Sequence, residues 1–237
     1  MKKIVAVIVF VSVLLSFSAV ALAANESENQ DTQQLAYLDY DSASDEMKAK
    51  ILEARKEIIF STDWIADGYS GCVRNVETGE IIRTLPSFSE LFPTWELPVE
   101  DCSGLTSNPS GVNLNSNSRS INDLDSWIQL LNAAYYLPAA GNTNTSPFVT
   151  FVVDPYDMGT HIRTYASSLT SSETCNICYS NASTGVSLGY VTNLSLYQAV
   201  EVANVGNVNL AIRASTYSTP GWSVMTVEGA YRVIDVK

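Results

Sequence analysis

The chain has 237 residues, of which 13 are lysine or arginine and 25 are aspartate or glutamate, so its formal net charge is −12 at pH 7. A chain this acidic lacks the basic surface with which proteins bind nucleic acids and anionic membranes, and we expect neither as a partner. The single histidine also argues against metal sites built from several histidines.

The N-terminus predicts an export signal. Lys2 and Lys3 precede an apolar run over 4–20, which ends in Ala21-Leu22-Ala23, a small-residue pattern that signal peptidase accepts. A retained membrane anchor is the alternative, but the polar and acidic residues that follow Ala23 suit cleavage better. We therefore expect residues 1–23 to be a signal peptide, and the mature protein to be secreted and extracellular, without membrane insertion.

The first part of the mature chain predicts a leader and one helix. Residues 24–43 are acidic, rich in Gln, Asn and Ser and poor in aliphatic side chains, which is typical of a flexible acidic leader. Ser44 is a good helix cap, and the run from about Asp45 to Phe60 predicts an amphipathic α-helix. Its apolar stripe recurs at spacings of four, three and four: Met47, Ile51, Ala54 and Ile58.

Beyond this helix the pattern becomes strand-like. Runs at 69–76 and 81–85 flank Glu77-Thr78-Gly79-Glu80 and predict a hairpin. Together with the helix, this hairpin would form an N-terminal unit at 44–102. Residues 103–120 are mostly Ser, Asn, Gly and Thr, which predicts a long loop or linker.

Residues 121–237 predict the main domain. Short apolar runs rich in β-branched and aromatic residues alternate with Gly, Ser, Asn and Pro: 124–137, 148–153, 161–169, 186–191, 196–203, 208–217, 222–227 and 231–236. This spacing is typical of an antiparallel β-sandwich or a jelly-roll-like domain. We therefore expect a mainly β protein whose sandwich is preceded by one amphipathic α-helix.

One of these runs has an ambiguous pattern. The run at 124–137 fits a helix or a strand, and we favour a strand because everything beyond it is strand-like; one face would then carry Trp127, Leu131, Ala133, Tyr135 and Leu137. The runs at 196–203 and 208–217 alternate clearly and are joined across Val205-Gly206-Asn207. We therefore predict that they form a hairpin.

The four cysteines, Cys72, Cys102, Cys175 and Cys178, predict disulfides in an extracellular chain. Three pairings are possible, and sequence proximity favours Cys72–Cys102 with Cys175–Cys178. The C-x-x-C spacing of the last two also occurs in redox enzymes and zinc knuckles. Here it lies in strand-like sequence, and the other two cysteines form no second knuckle, so a local disulfide is the preferred interpretation.

The sequence carries no clear catalytic constellation. His161 stands in a strand-like run, and no G-x-S-x-G motif accompanies it. Asp154 and Asp157 could form a glycosidase carboxylate pair or hold calcium, but neither shows the spacing that this chemistry needs. We expect no enzymatic activity, no metal site and no cofactor, with calcium as the one candidate ion.

Loop aromatics are the best candidates for a binding site, because tyrosine and tryptophan bring a large contact area at little entropic cost. Phe92 and Trp95 lie in a segment punctuated by prolines, Tyr156 and Asp157 follow Asp-Pro, and Trp222 follows Pro-Gly. We expect these residues to line a shallow ligand-binding site for an extracellular protein or a glycan.

Three stretches resemble small secreted proteins of gut Gram-positive bacteria: 51–59, Trp64-Ile65-Ala66-Asp67-Gly68 and Phe88-Ser89-Glu90-Leu91-Phe92-Pro93. Some secreted proteins of such bacteria bind immunoglobulin variable domains as B-cell superantigens. The resemblance implies a non-enzymatic binding protein for an extracellular partner, for example a host immunoglobulin, and supplies no binding residues. A carbohydrate-binding module or lectin is the alternative, followed by a carboxylate-dependent glycoside hydrolase.

Overall fold

The computed structural model describes residues 31–101, 127–140, 148–153, 161–169, 174–206 and 208–230. The chain divides into two compact units, Met1–Ile58 and Ile59–Lys237. Within the described ranges, no helix is both long enough and apolar enough to cross a membrane.

The first unit contains the predicted helix, α1 (Asp45–Ile59), except for its last residue. The Ser44 hydroxyl accepts a hydrogen bond from the Met47 N–H at 3.4 Å, which caps the helix as expected. Ile51 and Ala54 of the apolar stripe are buried. Within the predicted leader, residues 31–36 are helical, and the Arg55 Nε donates to the Ala36 carbonyl oxygen at 2.9 Å.

The second unit is mainly β. A four-residue helix, α2 (Phe88–Leu91), interrupts its strands. In chain order the strands are β1 (Trp64–Ile65), β2 (Ser70–Asn75), β3 (Ile81–Thr84), β4 (Ile128–Leu137), β5 (Val149–Val153), β6 (His161–Leu169), β7 (Cys175–Asn181), β8 (Ser187–Leu194), β9 (Gln198–Ala203), β10 (Leu210–Thr216) and β11 (Gly221–Ala230).

These strands form two antiparallel sheets. One sheet has the order β1-β8-β7-β10-β5, and the other has the order β3-β2-β9-β6-β11-β4. Val73, Thr164 and Val200 are fully buried and lie at matching positions of three neighbouring strands in the second sheet. Tyr179 in the first sheet donates from its hydroxyl to the Val200 carbonyl oxygen at 3.5 Å. The predicted antiparallel β-sandwich is confirmed.

The ambiguous run at 124–137 contains strand β4, which confirms the predicted strand. The hairpin predicted around Glu77-Thr78-Gly79-Glu80 is also confirmed as β2 and β3. The sequence-based division placed this hairpin in a separate N-terminal unit at 44–102. In the structure β2 is hydrogen bonded along its whole length to β9, so the hairpin belongs to the six-stranded sheet.

The hairpin predicted between 196–203 and 208–217 is wrong. Strand β9 pairs with β2 and β6, whereas β10 pairs with β5 and β7 in the other sheet. The connection crosses from one sheet to the other: Asn204 and Gly206 have left-handed backbone angles, with φ of 64° and 57°, and Val205 is buried between them. Alternation specifies which face of each strand is buried, but it does not specify the neighbouring strand.

Two hairpins, β2–β3 and β7–β8, have turns of the same kind. Asn75 and Asn181 each end a strand, and the side-chain oxygen of each accepts two backbone N–H groups of the turn, at 2.9–3.2 Å. In both turns a glycine four residues later has a left-handed φ, +75° at Gly79 and +73° at Gly185, and donates to the asparagine carbonyl at 2.8 Å. The two turns differ in their surroundings, because only Gly185 lies against another segment, at Glu100.

Alanine at these two glycines is expected to have unequal effects. Gly79→Ala adds a methyl group into open space, so it costs only the left-handed penalty of about 1–2 kcal/mol. Gly185→Ala would also overlap the Glu100 carbonyl oxygen, and we expect a further loss of about 1–3 kcal/mol. Denaturant unfolding of both variants measures the difference in unfolding free energy. Equal losses would show that residues 98–100 move away from the added methyl group without loss of stability.

Candidate functional site

Among the described residues of the sandwich, the most exposed aromatic pair in contact lies on the six-stranded sheet. Trp222 of β11 and Tyr136 of β4 are directly opposite each other in register, and their ring centroids are 5.7 Å apart at an interplanar angle of 71°. Trp222 is 56% exposed and Tyr136 is 55% exposed. We call these two residues the aromatic pair.

Strand alternation explains why the aromatic pair faces solvent. Gly221 and Ser223, the chain neighbours of Trp222, are buried, so the indole must lie on the outer face of the sheet. The Ser223 hydroxyl donates to the Ser168 carbonyl oxygen at 2.8 Å, which ties this end of β11 to β6. The backbone that carries Trp222 is therefore fixed on both sides.

Near the aromatic pair, the described residues of strands β4, β6 and β11 carry no charge. Asn132 and Ala134 lie on the same face of β4 as Tyr136, and both are exposed. The first charged residue of β11 beyond Trp222 is Glu228, which pairs with Arg163 of β6. Antibody paratopes are enriched in tyrosine and asparagine and use tryptophan at binding hot spots, so this composition suits recognition of another macromolecule.

Two of the predicted binding residues, Phe92 and Trp95, do not line a surface site. They are only 4% and 8% exposed, and their rings stack at 4.8 Å with an interplanar angle of 6°. Phe88 of α2 contacts Phe92 at 5.0 Å with an interplanar angle of 53°, and it meets Trp64 edge-on at 4.9 Å. The prolines of this segment end its helix early, and its aromatic side chains turn inward as part of the core.

The other predicted binding residues are Tyr156, Asp157 and Trp222. Tyr156 and Asp157, like the neighbouring Asp154, lie outside the described residues. Trp222 is exposed as expected, although it lies in a strand rather than in a loop. Tyr136 was missed, but the predicted strand face of Leu131, Ala133 and Tyr135 already implies that Tyr136 lies on the opposite face.

The cysteine prediction needs correction. Cys72, Cys175 and Cys178 are not in disulfides, and Cys102 lies outside the described residues. Cys175 and Cys178 are three residues apart in strand β7, so their side chains point to opposite faces and their Cα atoms are about 10 Å apart. A disulfide needs Cα atoms within about 7 Å, so the local Cys175–Cys178 bridge cannot form.

Burial raises the pKa of the Cys175 thiol to about 12. Burial also raises the pKa of Cys178, although the Arg213 guanidinium, which donates to its sulfur at 3.1 Å, acts in the opposite direction. Both thiols therefore remain protonated in the folded protein at neutral pH. This is the opposite of what a redox or nucleophilic cysteine needs.

The Cys175 thiol makes the stability of the fold depend on alkaline pH. Its folded pKa lies above the unfolded value of about 8.5, so its contribution is complete below that pH and is lost as pH rises toward 12, by about 1.4 kcal/mol per pH unit. Cys175→Ala should flatten the decline in unfolding free energy between about pH 8.5 and 10. A decline as steep as in the parent protein would contradict the raised pKa of the buried Cys175 thiol.

His161 is 6% exposed and lies opposite Ala203 and Ala230 on the neighbouring strands. In the part of the chain that the structure describes, no three His, Cys, Asp or Glu side chains are grouped as a metal ion would require.

Fold and surface together define the class: a mainly β antiparallel sandwich with an uncharged aromatic surface on one sheet. No protein-family model matches the chain, and no curated protein and no solved structure is significantly similar to it. The resemblance to secreted proteins of gut Gram-positive bacteria therefore stays a prediction.

Proposed function

We propose that the protein is a secreted, non-enzymatic binding protein that recognises an extracellular protein through the aromatic pair. The observation that carries this proposal is the cross-strand position of Tyr136 and Trp222, each more than half exposed on a rigid sheet. Aromatic residues dominate the energetics of protein interfaces when they are buried by a partner. Host immunoglobulin is the partner that the sequence resemblance favours.

Binding should depend strongly on the aromatic pair. The mature chain, residues 24–237, is tested against immobilised polyclonal immunoglobulin and against serum and mucosal proteins. Trp222→Ala and Tyr136→Ala are each expected to weaken binding at least about 30-fold, because interface hot spots contribute about 2 kcal/mol or more. Surface plasmon resonance measures the dissociation constants.

The matched control is Ile81→Ala. Ile81 is 49% exposed and lies on β3, at the opposite edge of the same sheet, so binding should change less than about threefold. Unchanged binding in the Tyr136→Ala/Trp222→Ala double variant would rule out the aromatic pair as the site. Absence of any bound protein would remove the protein-binding proposal altogether.

A glycan ligand is the second candidate, because the exposed Asn132 lies four residues from Tyr136 on the same face of β4. Aromatic rings can stack on sugars, and amides can hydrogen bond to their hydroxyl groups. Loss of binding after enzymatic deglycosylation of the captured partner would move the assignment to carbohydrate recognition. Retention of binding would support protein recognition.

A further inference from the structure

Strand β4 is a long, uncharged edge strand. It runs for ten residues, Ile128–Leu137, and pairs on one side with β11. Among the described strands, none pairs with its other side. Its sequence, IQLLNAAYYL, contains no charged residue, no proline and no glycine.

Two of the other three described edge strands are protected. Strand β1 has two residues, and β3 has four, including Arg83 in an ion pair with Asp63 at 2.8 Å. Strand β5 is uncharged like β4, but it has only five residues, half the length of β4. The β8 edge beyond β1 is covered by residues 98–100, through the bridge between Val99 and Val186. Short length, charge and covering segments are the usual ways in which proteins prevent an edge from pairing with another chain. Within the described residues, β4 has none of these protections, and it is the longest of the edge strands.

We propose that β4 is the docking edge for an extended segment of the partner protein, which adds to the six-stranded sheet as a seventh strand. This inference rests on the proposed function, because it assumes a protein partner. Strand addition gives affinity through main-chain hydrogen bonds and specificity through alternate side chains. The aromatic pair lies on the face of β4 and β11 and flanks one end of this edge.

Charge identifies the kind of segment that fits. The chain carries a net charge of −12, whereas β4 itself is uncharged, so the segment that lies along β4 should be uncharged and its flanks should be basic. A second copy of this chain is a poor occupant, since two copies would bring the same excess of carboxylates together. The occupant is therefore a strand of another, less acidic protein.

The exposed face of β4 also predicts a side-chain pattern. Tyr136, Ala134 and Asn132 alternate along this face, and directly opposed residues on a neighbouring strand lie about 5 Å apart. At every second position the incoming strand should place an apolar or aromatic residue beside Tyr136, a bulky one beside the small Ala134, and a hydrogen-bonding one beside Asn132. On the other face, Tyr135 stacks on Phe151 at 5.1 Å, which favours an apolar neighbour.

The first test uses a phage-displayed library of random peptides of about twelve residues, long enough to span β4. The library is selected on the mature protein and counter-selected on Ala134→Asp, which places a charge on the edge; Ala134→Thr is the matched control, since threonine suits a strand. Enriched peptides should show the alternating pattern with basic flanks. They should also slow amide hydrogen exchange at 128–137 at least tenfold.

The second test changes only the peptide, so it does not depend on how the protein variants fold. Methylation of the peptide backbone nitrogen at every second position of an enriched peptide should weaken binding at least tenfold, because those N–H groups face β4. Methylation at the intervening positions should have little effect. A uniform response along the peptide, no protection of 128–137, or no enriched peptide would each overturn the edge proposal.

The two proposals can fail separately. If Trp222→Ala abolishes binding of the protein partner while Ala134→Asp does not, the aromatic pair remains the site and the strand-addition mode is wrong. If peptides add to β4 while no extracellular protein is captured, the edge remains a docking site and the proposed function is wrong. Dimerisation of the protein, seen by light scattering and abolished by Ala134→Asp, would identify a second copy as the occupant and overturn the proposal.

Discussion

Replacement of Trp64 by alanine is expected to lower the free energy of unfolding by about 3–5 kcal/mol, the usual range for a large buried aromatic residue. The side chain is fully buried, and its Nε1–H donates to the Ile59 carbonyl oxygen at 2.8 Å. Its ring meets Phe88 edge-on, and its backbone pairs with Tyr190 of β8. The substitution therefore leaves a cavity and an unsatisfied carbonyl group together.

The structure supplies a matched control for this prediction. Trp222→Ala removes the same side chain from a position that is 56% exposed, and we expect its stability to change by less than about 1 kcal/mol. Guanidinium chloride unfolding of the two variants, followed by circular dichroism, measures both values. A loss of unfolding free energy at Trp64 as small as the loss at Trp222 would contradict the role of Trp64 in the core.

Glu201→Gln is the second substitution with a large expected effect. The carboxylate is 5% exposed, although it lies on the outer face of its sheet, and accepts from the Arg74 Nε at 2.8 Å. Removing one partner of a buried ion pair costs about 3–5 kcal/mol, because the other charge stays desolvated. Since Arg74 retains 20% exposure and solvent screens it in part, we expect a smaller loss of about 2–4 kcal/mol.

A double-mutant cycle separates the charge effect from packing. Glu201→Met combined with Arg74→Met should be more stable than Glu201→Met alone, because no unpaired charge is then left behind. The exposed pair of Lys50 and Glu46 is the control: Glu46→Gln should cost less than about 0.5 kcal/mol. Equal costs for the buried and the exposed pair would contradict the argument.

Much of the fold could be predicted because it depends on local patterns. The helix at Asp45–Ile59 follows from its cap and apolar spacing, and strand β6 begins and ends where the apolar run at 161–169 does. The β2–β3 hairpin follows from the turn at Gly79. These features involve interactions between residues that are close in sequence, which the sequence shows directly.

The partners of each strand could not be predicted in the same way. The alternation of 196–203 and 208–217 is the same whether they pair with each other or belong to two sheets. Likewise, Phe92 and Trp95 have the composition of a contact surface, and only their packing in a cluster with Phe88 and Trp64 shows that they are buried. The aromatic pair required knowledge of the β4–β11 register, which joins distant parts of the chain.

The pairing of β2 with β9 also determines when the protein can fold. Arg74 and Glu201, whose side chains form an ion pair across these two strands, are 127 residues apart in the chain. During synthesis from the N-terminus, β2 can pair with β3 but must remain without β9 until most of the sequence has been made. Such long loop closures are slow, so folding should take milliseconds to seconds, and it should finish only after synthesis has passed Ala203.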